Sequence, residues 1–331
     1  MPAVYIDRSD LDVGYANGCL LLRSPDRPPQ RLPLAQIDFM LLRANNRIDG
    51  RVLCHLAEQG ATVLLLDGRG MHRPAQITGY RHGSAARRLA QYQLQLDHPW
   101  RLQLSRALVS AKLHSQHRLL RQAMAARPDQ RYPLLRALKR LREGHQRLQQ
   151  ATGLDPLRGI EGAAAAAYFE AYAHILPAAC GFDGRNRRPP RDPVNALLSL
   201  GYTLLMAEAV NALHRTGLDT QFGVYHDLAH NRDSLACDLI EPERTHVDQQ
   251  VWRLFAERQL GPHDFETLNG ACRLKKAGRT TFYRHYEATA PAVRQRLQHR
   301  LHRIIRSAPQ LSADAAALPE PWAAQQQDDP S

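Results

Sequence analysis

Four side chains between positions 161 and 241 of this sequence could hold a divalent cation: Glu161, His226, Asp238 and Glu241. Asp238 and Glu241 stand three apart in SLACDLIEPER, so a helix projects both carboxylates from one side, one turn apart. Like charges that close repel unless a cation, an arginine such as Arg232 or Arg244, or a raised pKa relieves them. A solvated helix face is the ordinary origin of such a pair. Two neighbours point further. His226 lies just upstream, after a turn in GLDTQFGVYH, positioned to fold back over the helix start. Glu161 is a single carboxylate in the small, apolar helix start of LRGIEGAAAAAYFEAYA. Gly159 and Gly162 beside it are expected to allow close backbone approach, and the alanines at 163–167 tight helix packing. The helix dipole alone favours a glutamate there, but a buried one needs a partner, and a metal shared with His226 would supply it. One imidazole and carboxylates, with open positions, suit Mg²⁺ or Mn²⁺ better than structural zinc. Such a site polarises a phosphate ester and orients a hydroxyl against it.

The elements that must position these residues fall into two regimes. Over roughly the first 80 residues, VYIDRS, GCLLLRS, IDFMLLR and ATVLLLD read as strands. Turn chemistry at Ala16-Asn17-Gly18, at 25–29 and at Asp67-Gly68-Arg69-Gly70 separates them. Residues 49–59 read as one short helix. From about residue 84 the apolar period becomes 3.6: Leu102, Leu104, Leu108, Leu113, Leu119 and Leu120 form one stripe, ended by Pro128, and Leu134, Leu135, Leu138, Leu141 and Leu148 the next. Further helices are expected near 160–176, 193–215, 234–258 and 277–307, with Ser234 capping the third and Pro242 kinking or restarting it. The expected fold class is therefore α+β. A small N-terminal β-sandwich domain (1–80) precedes a larger all-α catalytic domain (81–307), and the Pro-, Ala- and Gln-rich tail (308–331) is expected to lack structure.

Composition narrows the partners. The chain of 331 residues is 44% hydrophobic, enough for real cores, and 44 basic against 32 acidic residues leave +12. Only Lys112, Lys139, Lys275 and Lys276 are lysines; the excess of arginine suits phosphate recognition, and equally a GC-rich genome. Five scattered cysteines without a CxxC pair argue against a zinc knuckle and for a reducing cytoplasm. MPAVYIDRSD has no secretory h-region, and apolar runs such as 163–169 are short for a membrane span, so no membrane role is expected.

Four stretches in order carry a resemblance: GIEGAAAAAYF at 159–169, DPVNALLSLGYTLL at 192–205, GLDTQFGVYH at 217–226 and SLACDLIEPERTHVD at 234–248. With IDFMLLR and ATVLLLDGRG they resemble the universal spacer-acquisition integrase and endonuclease family of CRISPR systems over about residues 1–305. The resemblance implies metal ligands at Glu161, His226 and Glu241, with Asp238 a nearby acidic member; which of the last two binds metal directly stays open. It implies Asn195 and Tyr168 as supporting groups and Arg244 as a phosphate contact. Tyr225, Glu243 and Ala166 depart from the family pattern, where an aliphatic, an aromatic and a basic residue are usual. The implied reaction is insertion of short foreign DNA into a CRISPR array by 3′-hydroxyl transesterification, with water giving nuclease activity instead. The implied partners are double-stranded DNA with 3′-OH ends, CRISPR repeat DNA, a second copy of the chain paired through the β domains, and a small ferredoxin-like adaptation protein.

Arg185, Arg187, Arg188 and Arg191 cluster before the DPVNALL helix and are expected to bind phosphate, as are Lys275, Lys276 and Arg279. Arg294, Arg296, Arg300, Arg303 and Arg306 read as a solvated helix face. His226 and His230 match a zinc-protease spacing, but Asn231-Arg232-Asp233 is poor helix and the pattern is set aside. Gly68 and Gly70 read as a turn between strands. Two other functions fit the same residues: a structure-selective repair nuclease, and a non-catalytic basic DNA scaffold.

Overall fold

The computed structural model describes residues 3–43, 45–66, 75–77, 79, 85–186 and 189–312. The N-terminal part comprises β1 (Ala3–Ile6), β2 (Asp12–Ala16), β3 (Cys19–Ser24), β4 (Arg27–Pro33), β5 (Phe39–Arg43), β6 (Arg47–Ile48), α1 (Gly50–Glu58), β7 (Thr62–Leu66) and β8 (Ala75–Ile77). They form two four-stranded sheets, ordered β4-β3-β2-β6 and β1-β5-β7-β8. The first three strands of the second sheet run parallel, with α1 in the connection from β5 to β7. Side-chain alternation explains its place. Met40 and Leu42 of β5 join Val13, Leu20 and Leu56 in the core between the sheets, whereas Phe39 and Leu41 join the core of the helical part. A sheet buried on both faces reads as a continuous apolar run, which FMLLR is.

Behind it follow α2 (Ala85–Leu94), α3 (His98–Ala126), α4 (Arg131–Arg147), α5 (Leu154–Ile175), α6 (Pro193–Thr216), α7 (Ser234–Ile240), α8 (Arg244–Ala256), a hairpin of β9 (Phe265–Leu268) and β10 (Ala271–Leu274), α9 (Lys276–Arg306) and α10 (Pro309–Ser312). The architecture is thus a β-rich region of two sheets followed by a mostly helical one; the hairpin corrects the expectation of an all-α second part. The expected 234–258 helix is two, because Pro242 lies in a 3₁₀ turn over Glu241–Glu243 that ends α7 and restarts the chain as α8. Ser234 is the first helical residue rather than the cap, and its buried hydroxyl donates to the Asp227 carbonyl. The stretch from 308 begins ordered, with α10 and a fully buried Leu311; the rest of the expected tail lies outside the described residues, as do Gly68 and Gly70.

By length and composition α6 could cross a bilayer, longer and more apolar than the short runs noted above, yet here it is a core helix with Leu197, Leu198, Leu204 and Leu213 fully buried. The arginines of α9 are not a solvated face throughout. Arg294 pairs with Glu208 and Glu287, while Arg296 and Arg300 each stand 2.8 Å from the buried Glu243 carboxylate. A carboxylate at position 243 is therefore tolerated because α9 brings two guanidiniums to it.

Candidate active site

Helices α3, α5, α6 and the α7–α8 junction enclose a cavity of about 230 Å³. Glu161 comes from α5, Glu241 from the turn after α7, and His226 from the loop between α6 and α7. Lys112 and Gln116 of α3, Arg185, Tyr202, Arg244 and Asp248, with Tyr225 and Thr245, complete its charged and polar lining.

The loop carrying His226 is tied down from several sides. Ser105 on α3 donates to the Val224 carbonyl at 3.1 Å, and Arg158 on α5 donates to the Tyr225 carbonyl at 3.1 Å while pairing with Asp227 at 2.6 Å. Asp238, fully buried on α7, accepts hydrogen bonds from the backbone amides of Val224 (2.6 Å), Tyr225 (3.0 Å) and His226 (3.0 Å). It also stands 2.6 Å from His226 Nδ1. Nδ1 is thereby committed to the carboxylate, which leaves Nε2 as the nitrogen free for a ligand. Gly223 makes this approach possible, since a Cβ there would lie 2.8 Å from Asp238 Oδ2 and from the Ser234 backbone. The two acids of the helical pair thus divide: Glu241 lines the cavity, whereas Asp238 faces the loop and orients the histidine. Neither belongs to a solvated face, Asp238 being 0% and Glu241 9% exposed.

Between the two glutamates lies a cation that the sequence reading did not single out. The Lys112 ammonium donates to Glu161 and, at 2.5 Å, to Glu241 Oε2. Arg244 adds a bond of 2.9 Å from Nε to Glu241 Oε1. Burial pushes the Glu241 carboxyl up, but Arg244 and Lys112 outweigh it and hold the group well below the usual carboxylate range. Burial likewise opposes charge on Lys112, and its two carboxylate neighbours more than reverse this. Among the described residues no three His, Cys, Asp or Glu side chains converge as a ready ligand shell; the expected centre of Glu161, His226 and Glu241 shares one cavity, with lysine between the carboxylates. That position is already a cation site, and two carboxylates with an imidazole beside them are donors that a hard divalent ion fits.

The supporting groups fall into place around this wall. Asn195 is fully buried outside the cavity; its Oδ1 accepts from Arg185 Nη1 at 2.6 Å and so fixes an arginine that does line it. Asp192 caps α6 by accepting from the Asn195 amide at 2.8 Å, anchoring the same corner. Tyr168 donates to Asp248 Oδ2 at 2.7 Å and Tyr202 to Oδ1 at 2.5 Å. Burial pushes the Asp248 carboxyl up to about 6, against the pull of both tyrosines. Two guanidiniums lie against the Tyr202 ring, Arg244 at 4.6 Å and Arg185 at 5.2 Å from its centroid. Asp248 and Lys112 are the residues that sequence reasoning missed.

Other expectations fare differently. Gly159 and Gly162 face open space, so they serve no close approach; Ala164 and Ala167 are the alanines that pack. Residues 226–230 are not helical, in keeping with dismissal of the zinc-protease spacing. Arg191 is exposed at the α6 corner, while Arg187 and Arg188 lie outside the described residues. Lys275, Lys276 and Arg279 are not at the cavity: Lys275 bonds the His263 carbonyl, Arg279 pairs with Asp7 of the β-rich part, and Lys276 borders a groove between β1, β4 and α9.

With this geometry in view, comparison with known proteins is decisive. Residues 4–288 match the family described as CRISPR associated protein Cas1. The chain belongs to the Cas1 family. A CRISPR-associated endonuclease Cas1 of Thermodesulfovibrio yellowstonii is 36% identical over 296 residues, covering 87% of this chain and 91% of that protein. Among solved structures, a casposase bound to integration product superposes with a TM-score of 0.80 at 21% identity, covering 93% of this chain and 92% of the other. A Cas6-RT-Cas1–Cas2 complex gives 0.77 at 23% identity, covering 90% of this chain and 34% of that longer one. At those identities the two structures establish the shared fold, and both come from proteins whose described assemblies hold an integration product or a Cas2 protein.

Proposed function

We propose that this chain is a divalent-metal-dependent DNA integrase and endonuclease that inserts short foreign DNA as new spacers into a CRISPR array. The observation that carries the reading is the cavity in which Glu161, His226 and Glu241 meet Lys112, Arg185 and Arg244, in a chain of the Cas1 family. Glu161, Glu241 and His226 Nε2 are the donors for Mg²⁺ or Mn²⁺, and Asp238 sets the imidazole for that role. Such an ion, when bound, supplies Lewis-acid polarisation of a phosphate and lowers the cost of charge on it. Arg185 and Arg244, both stacked against the Tyr202 ring and lining the cavity, are the groups to receive phosphate oxygens. In the reaction the 3′-oxygen of the incoming strand forms a new phosphorus–oxygen bond as the bond to the repeat-boundary 3′-oxygen breaks. One proton leaves the attacking hydroxyl and one is taken up by the departing oxygen, so no covalent protein intermediate is needed. Water in place of the hydroxyl gives hydrolysis.

Related structures that hold DNA or a Cas2 protein support DNA as substrate and a small protein partner; the wider setting proposed with them is a homodimer formed through the β-rich part, a ferredoxin-like fold for that partner, repeat DNA as target, and a cytoplasmic location. A repair nuclease would use the same residues; joining rather than cutting separates the two. The test is strand transfer of a labelled duplex with 3′-OH ends into a plasmid carrying a CRISPR repeat, with Mn²⁺ and with EDTA, in the presence of the small partner. Metal-dependent joined product is expected. Cutting without joining would favour the repair reading, and DNA binding with neither would leave only a scaffold.

A further inference from the structure

A groove of about 550 Å³, more than twice the catalytic cavity, runs between β1, β4 and the first turns of α9. Both strands are sheet edges: β1 ends one four-stranded order and β4 the other. Such edges offer unpaired main-chain groups to any extended chain, and folded proteins commonly cover them. Leu11, Leu22 and Leu32 give the groove an apolar wall, and the Tyr5 ring stacks on Tyr283 with 4.8 Å between centroids. Two hydroxyls of this lining, those of Tyr283 and Ser24, are buried without a hydrogen-bond partner among the described residues. Tyr283 is only 5% exposed. A buried donor left unpaired is unfavourable, and an occupant that brings acceptors relieves it.

The charges around the groove are unbalanced. Its acids are already engaged, Asp7 by Arg43 and Arg279, and Glu287 by Arg294 and the Tyr5 hydroxyl. Arg27, Lys276 and Arg284 are exposed and make no ion pair among the described residues. The groove therefore suits an extended peptide that is apolar in part and acidic beside it.

This chain carries such a segment. Past α10, residues 313–331 hold four acids, Asp314, Glu320, Asp328 and Asp329, and no lysine or arginine. Within them runs LPEPWA, residues 318–323, with a proline on each side of Glu320 and then Trp322. Proline-rich segments are pre-set for extended backbone and dock in aromatic-lined grooves at low entropic cost. The reach is sufficient. From Glu287, the last groove residue on α9, to Arg306 at its end, nineteen residues rise about 28 Å. The ten residues from Ser312 to Trp322 span up to about 33 Å when extended. We propose that residues 318–329 seat in this groove of the same molecule, with Trp322 and its prolines on the apolar wall and Glu320, Asp328 and Asp329 at Arg27, Lys276 and Arg284. The segment then covers the β1 and β4 edges and leaves the opposite edges, β6 and β8, for pairing between copies.

The experiment is hydrogen–deuterium exchange of the full chain, read by mass spectrometry over β1, β4 and residues 313–331. It compares wild type with Trp322→Ala, which leaves every described contact in place, and with Arg27→Glu/Arg284→Glu on the exposed rim. Both variants are expected to speed exchange in β1 and around residue 322 by about tenfold or more, with the β9–β10 hairpin unchanged. An Arg121→Glu/Arg142→Glu variant, the same charge change on the exposed α3–α4 face, is expected to leave both segments at the wild-type rate. The protection is expected to be the same at low and high protein concentration, because the contact is within one molecule. Equal exchange in wild type and Trp322→Ala overturns the proposal, as does an equal effect from the α3–α4 variant. Protection of β1 that grows with protein concentration and ignores Trp322→Ala also overturns it, and assigns the groove to a second copy of the chain.

Discussion

Removing the lysine between the two glutamates should destabilise the protein and sharpen its response to divalent ions. In Lys112→Met the ammonium that contacts both Glu161 and Glu241 is replaced by an apolar group of similar length. The carboxylates keep only 18% and 11% side-chain exposure, so water compensates little, although Arg244 still holds Glu241 at 2.9 Å. Deleting one partner of a buried ion pair costs about 3–5 kcal/mol, and the remaining arginine and partial exposure place this case at about 2–3 kcal/mol. For a domain of this size that lowers the melting temperature by about 5–10 °C. Mn²⁺ should then restore more stability to the variant than it adds to the wild-type protein, because the competing cation is gone and a more tightly bound ligand stabilises more, with the logarithm of its concentration over Kd. Differential scanning calorimetry with EDTA and with Mn²⁺ measures both effects, and Lys112→Arg, which keeps the charge, should lie near wild type. A Lys112→Met variant melting at the wild-type temperature, with the same gain from Mn²⁺, would refute the reasoning.

Further outcomes follow from the same geometry. Asp238→Asn should lower joining by about 10–100-fold, the usual cost of losing the group that orients a ligand, with less loss in duplex binding. Gly223→Ala should act in the same direction, since its Cβ meets Asp238 and Ser234 backbone at 2.8 Å, and should cost about 1–3 kcal/mol in urea denaturation. Asp248, raised from 3.8 to about 6, holds a proton more tightly folded than unfolded. Its ionisation therefore removes stability as pH climbs through that window, on the order of 3 kcal/mol in full. Asp248→Asn should flatten the wild-type stability profile there, and an unaltered profile would contradict the assignment. Glu241 has the opposite sign, its carboxyl being held low, so its contribution is present above its ordinary range and lost as pH falls below it.

How much of this was legible in the sequence depends on what each residue's neighbours reveal. The helices α3, α5 and α6 follow from apolar period, and β5 and β7 from unbroken aliphatic runs, because burial writes itself directly into those patterns. The first residues of strand β4, RPPQRLP, fell within the 25–29 turn reading; the strand forms at the sheet edge, where proline costs no ladder bond. The hairpin of β9 and β10 is too short for a period and was absorbed into helical surroundings. Within the site, Glu161, His226 and Glu241 stood out by type and by family resemblance, and one cavity gathers them. The split between Asp238 and Glu241 was beyond spacing, since it depends on a loop folding back so that three amides and an imidazole reach one carboxylate. Lys112 looked like any charge on an amphipathic helix; the available signal was the scarcity of lysine, four among 44 basic residues, next to Leu113, Ser115 and Gln116, which are all buried.

The most direct test of the central claim is single-turnover strand transfer by Glu161→Gln, a near-isosteric change that keeps a hydrogen-bond acceptor for Lys112 while removing one of the proposed ligand charges. With folding and duplex binding shown to match wild type, the account predicts Mn²⁺-dependent joining reduced by about 100-fold or more. Joining at the wild-type rate in that variant would contradict it, and would place the chemistry outside the cavity formed by Glu161, His226 and Glu241.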